Sequence, residues 1–115
     1  DICISALRNM CKKTMIANSG DIQITQCNNC KMINIWKPGL LLSFSFSQFY
    51  EFTKVAKKLN FDQYFEYGPD GNRIVILSTP FPDICLKFTR AELNDFVHAI
   101  DEAMYMHKVY ELVHS

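Results

Sequence analysis

No run of apolar residues in this 115-residue chain approaches the roughly 18 needed to cross a bilayer, which excludes a helical membrane span. Residues 1–20 also lack the apolar stretch of about 7–15 residues that marks a secretory signal, so a soluble cytoplasmic protein is the expectation. Net charge is absent: twelve Lys plus Arg cancel twelve Asp plus Glu. No global field therefore draws the chain toward nucleic acid or anionic lipid. The motifs of catalysis are missing too, with no GxSxG, HExxH, Walker loop or GxGxxG, and no nucleophile stands beside a base. A non-enzymatic protein is the expectation. Finally, the five cysteines are an odd number, unlike the even disulfide set of a small secreted domain.

What is present describes one folded domain, residues 1–115. Hydrophobic residues make up 49% and charged residues 21% of the chain, near the globular averages of about 45–50% and about 25%. The cancelling charges are polarised along the sequence. Residues 1–60 carry eight bases against three acids, and residues 61–115 carry four against nine. Such halves can pair internally, associate head to tail, or offer a basic face to an anionic partner.

A repeat underlies the pattern. Displacing the chain by 44 positions lays LLLSFSFSQFYEF, from Leu40, over ICLKFTRAELNDF, from Ile84. Leu40, Leu42 and Phe44 fall on Ile84, Leu86 and Phe88, Ser45 on Thr89, Gln48 on Glu92, and Phe52 on Phe96. Each segment alternates as a strand does and then changes to helical spacing. Ser45 and Thr89 read as N-caps, and Gln48 and Glu92 three residues on complete capping boxes. Phe44 with Phe49, and Phe88 with Leu93, stand where hydrophobic staples belong.

Hairpins are expected ahead of both steps. Asp21–Cys27 and Lys31–Trp36 alternate around Asn28-Asn29; Tyr64–Tyr67 and Arg73–Thr79 flank the turn Gly68-Pro69-Asp70-Gly71. The resulting fold class is α+β: a duplicated β-β-β-α unit with pseudo-repeats at about 20–60 and 61–115, residues 1–19 forming an N-terminal arm. Its antiparallel sheets pack against two helices. The first helix spans about Phe46 to Leu59, burying Phe49, Phe52, Ala56 and Leu59, with Asn60 as its stop. The second starts at Arg90, buries Leu93, Phe96, Val97, Ile100 and Met104, and meets no Gly or Pro before Ser115. Twenty-five helical residues span about 37 Å, longer than such a core should cover. The overhanging stripe Met106, Val109, Tyr110 and Val113 is expected to dock on a second copy, giving a homodimer, or on the protein's own sheet.

Two constellations carry possible chemistry. Cys27-Asn28-Asn29-Cys30, at a hairpin tip, has the spacing of a zinc knuckle, and Cys11 from the arm supplies a third ligand for a structural zinc. The fourth ligand is open, with Cys3 one candidate; the alternative is cysteines that merely pack. Lys12, Lys13, Lys31 and Lys37, with Trp36, form the other set, which suits a single-stranded nucleic-acid binder; the alternative is that these aromatics fill the core. His98, flanked by Asp95 and Glu102, reads as a solvated side chain on the last helix.

The run MCKK at Met10–Lys13, then CNNC, then a strand entering SxxQFYEF, resembles a small bacterial domain family of Bacteroidetes with an N-terminal Cys and a CxxC hairpin. The resemblance covers residues 10–115, implies that residues 1–9 are an extension, matches Cys11, Cys27 and Cys30 to the family's cysteines, and implies no activity. The strands-then-helix order, twice over, is similar in architecture alone to PUR-repeat proteins, which bind single-stranded nucleic acid on a basic sheet of four strands per repeat.

Overall fold

Alternating side chains and tight turns build two antiparallel sheets, and the computed structural model describes residues 12–114 of the chain. The first sheet has four strands in sequential order, β1 (Lys13–Ser19), β2 (Ile22–Cys27), β3 (Ile33–Lys37) and β4 (Leu40–Phe44). Strand β4 feeds α1 (Phe46–Lys57), and a short α2 (Phe61–Tyr64) follows. The second sheet has three strands, β5 (Glu66–Tyr67), β6 (Arg73–Ser78) and β7 (Cys85–Phe88), and ends in α3 (Arg90–His114). The class is α+β, with the last helix long and C-terminal.

Both strand-to-helix steps adopt the capped geometry. Ser45 Oγ accepts from Gln48 N while Gln48 Oε1 accepts from Ser45 N. Thr89 and Glu92 make the same reciprocal pair at 2.9 and 3.3 Å. Two free N–H donors are thereby satisfied at each helix start.

The two halves differ in their strands, which corrects the expectation of three in each. Strand β1, read as part of an arm, pairs along β2 from Lys13↔Cys27 to Ser19↔Ile22. Its register shifts between Met15 and Ala17, so Ile16 and Ala17 are adjacent and both buried, and the period of two that betrays a strand is lost. Gly20 closes the β1–β2 turn at a φ of 58°, where a Cβ would run into the Asp95 carboxylate. Tyr64, expected in a strand, belongs to α2 instead. Asn60, expected to stop α1, caps α2, its side chain accepting from the N–H groups of Asp62 and Gln63.

A line of phenylalanines ties the layers together. Phe44 of β4 stacks on Phe52 of α1 at 5.2 Å, Phe52 meets Phe96 of α3 edge-on at 6.0 Å, and Phe96 packs on Phe88 of β7 at 4.8 Å. Each ring is buried; the outer links join each strand to the helix that follows it, and the Phe52–Phe96 contact joins the two halves of the chain. Helix α3 packs mainly on β1 and β2 of the first sheet, with further contacts to β6 and β7 of the second. Its buried stripe is Leu93, Phe96, Ala99, Ile100 and Ala103, with Val97 and Met104 only partly covered. The two alanines allow the helix axis to approach β1 and β2 closely.

Replacing Ser45 or Thr89 by Ala is expected to cost about 1 kcal/mol each, while Ala103→Leu, which overfills the helix–sheet junction, is expected to cost about 1–3 kcal/mol. Urea unfolding monitored by circular dichroism reads both; an unchanged midpoint for Ala103→Leu would contradict the close approach.

Candidate protein interface at the end of helix α3

The core stripe of α3 does not end at Ala103. One turn on, His107 occupies the same face, and Tyr110 follows at the next helical interval. Nδ1 of His107 lies 3.0 Å from Oε1 of Gln26 on β2, and carries the proton when it donates to that carbonyl. Tyr110 donates from its hydroxyl to Asn28 Oδ1 at 3.0 Å, an oxygen that also accepts from Thr14 Oγ1 at 2.9 Å. The ammonium of Lys31 sits 5.6 Å from the Tyr110 ring centroid. The end of α3 is therefore fastened to the β2–β3 hairpin by directional bonds rather than by aliphatic packing.

Gln26 is 1% exposed, yet its Nε2 has no hydrogen-bond partner among the described residues. Whichever way the amide is turned, one polar atom meets His107 and the other is left over. His107 is itself sandwiched: its ring lies parallel to that of Phe46, the first residue of α1, with centroids 4.0 Å apart. Burial pulls the His107 pKa below its usual value, Lys31 adds to the effect, and Glu111 opposes it.

Beside this anchor lies an open groove of about 740 Å³. Phe46 and Tyr50 of α1 form one wall; Met104, Lys108, Glu111 and Leu112 of α3 form the other, with His107 between them. Tyr50, Leu112, Val113, Tyr105 and Met106 are all exposed. At 3.6 residues per turn, Met104, Lys108, Glu111 and Leu112 share the flank that faces α1. Met106, Val109 and Val113 share the opposite flank. Of the four residues expected to meet a second copy, Tyr110 is thus engaged with the protein's own sheet, and the other three lie away from the groove.

The cysteine set comes together only in part. Cys27 is completely buried, and its Sγ accepts from Cys30 N at 3.4 Å. Cys30 is disulfide-bonded, so here it offers no thiolate to a metal. Cys3 and Cys11 lie outside the described residues. Among the described residues no three metal-ligating side chains gather.

The basic set is dispersed. Trp36 faces away from the helices and donates from Nε1 to Thr25 Oγ1, while the next residue, Lys37, points to the other face with its ammonium 5.0 Å from the Phe88 ring centroid. Lys31 is drawn to Tyr110, and Lys12 and Lys13 are exposed at the start of β1. No single platform joins them to Trp36. The polarised halves do meet directly, through Lys57 and Asp101 at 2.7 Å between α1 and α3. His98 lines a shallow hollow with Asp101 and Glu102, but those acids already engage Lys57 and Asn18 N. No helix among the described residues is long and apolar enough to cross a membrane.

Comparison of the chain with protein families, with curated proteins and with solved structures finds no match to any of the three.

With its folded pKa held below 6.5, His107 binds its proton less readily in the folded than in the unfolded chain. The associated stability is complete above pH 6.5 and is lost as the pH falls toward the folded pKa. Urea midpoints taken from pH 7.5 down to 5 should therefore fall, and His107→Gln should flatten that slope. An equal slope in the variant would remove His107 as its cause.

Proposed function

We propose that this protein is a small non-enzymatic domain that works through protein contacts and associates with itself through the C-terminal part of α3. One observation carries the reading: the end of α3 is fastened to the sheet at His107 and Tyr110 yet leaves Leu112 at 78% exposure on the lip of a groove walled by Phe46 and the exposed Tyr50. Isolated apolar residues at a surface are ordinary, but a contiguous set at the edge of a groove marks an interaction site. Rigidity adds to the case, because a helix already ordered loses little conformational freedom on docking.

The patch is small. Interfaces at the low end of the size range bury less than about 1,200 Å² and belong to weak or transient complexes. Sedimentation equilibrium across low to high micromolar concentrations is expected to show a reversible monomer–dimer exchange. A mass that stays monomeric throughout would overturn the reading.

A further inference from the structure

Resting on that self-association reading, we propose that the groove between α1 and α3 seats a second copy of this chain, the two α3 ends crossing antiparallel about a two-fold axis close to Lys108 and Glu111. Both residues stand on the groove wall, three positions apart, and neither has an ion-pair partner among the described residues, where the only salt bridges are Lys54–Glu51, Lys57–Asp101 and Arg90–Asp62. One lysine and one glutamate side by side form the simplest self-complementary charge pattern. A two-fold axis reverses the order of residues across the interface, so Lys108 meets the partner's Glu111, and Glu111 meets the partner's Lys108. Two ion pairs then arise from a single geometry.

The apolar contacts obey the same symmetry. Leu112 projects from the flank that carries Lys108 and Glu111, while Phe46 and Tyr50 offer a receptive wall one helix away. A two-fold operation brings each Leu112 toward the other copy's groove. Grooves of this kind take an amphipathic helix through side chains spaced at i, i+4 and i+8, and Met104, Lys108 and Leu112 of α3 have that spacing. The opposite flank, with Met106, Val109 and Val113, carries the acid Glu102 but no lysine or arginine beside it, so it has no self-complementary pair to fix a register.

The test uses the full chain in sedimentation equilibrium at low salt. Lys108→Glu and Glu111→Lys each place like charges opposite one another twice, and each is expected to weaken the dimer about tenfold. The double variant Lys108→Glu/Glu111→Lys exchanges the partners and is expected to return to within about threefold of the unmodified protein. Met106→Glu, on the far flank, is expected to leave the dimer intact. Both charged positions are exposed at the surface, and thermal unfolding of each variant confirms the fold. Single reversals without effect, or a double variant as weak as either single, would overturn the groove as the seat, as would loss of the dimer in Met106→Glu; in each case self-association itself would stand. A second protein that competes for the groove while the unmodified chain remains monomeric would overturn both.

Discussion

A single uninterrupted helix has to satisfy two sheets, and the rest of the fold is arranged around that demand. Helix α3 leaves the short second sheet at Arg90 and runs across β1 and β2 of the first. It can do so because its buried stripe changes character along its length. Leu93 and Phe96 are buried, Phe96 against Phe52 of α1 and Phe88 of β7, Ala99 and Ala103 let the axis descend onto β1 and β2, and His107 and Tyr110 reach the far hairpin by hydrogen bonds. A larger residue at the alanines would lift the helix and strand both polar anchors. Even the β1–β2 turn conforms, since Gly20 leaves the room that Asp95 occupies.

The parts legible from sequence were those set by local chemistry. Capping boxes at Ser45 and Thr89 depend on four consecutive residues each, and the apolar stripe of α3 from Leu93 to Ile100 follows helical spacing alone. Strand β1 was illegible because its bulge puts Ile16 beside Ala17 on the buried side, erasing alternation where it would have been diagnostic. Tyr64 was misplaced because Asn60 works forward, as a cap, rather than backward, as a stop. The basic residues looked like one set because sequence proximity says nothing about face. Trp36 and Lys37 are neighbours in the chain and lie on opposite sides of the sheet.

The residues expected to meet a second copy show the same limit. Met106, Val109, Tyr110 and Val113 are a true helical stripe, but spacing alone does not say toward which neighbour a stripe points. That orientation is decided by His107 and Tyr110, polar residues that a search for apolar periodicity passes over. Their positions nevertheless continue the series 96, 100, 103, and that continuation was the available signal.

Polar anchors at this point have a consequence that aliphatic ones would lack. A leucine at position 107 would be buried about equally well over a range of helix rotations, because the hydrophobic effect is not directional. The bonds from His107 to Gln26 and from Tyr110 to Asn28 hold only near one rotation, and the stacking of His107 on Phe46 locks α1 to the same setting. The Gln26 amide nitrogen, unpartnered among the described residues, carries a desolvation cost of about 1–3 kcal/mol, and the fold tolerates it. What that arrangement secures is not extra burial but a fixed presentation: Lys108, Glu111 and Leu112 are held toward α1, so that the surface they form has one shape rather than several.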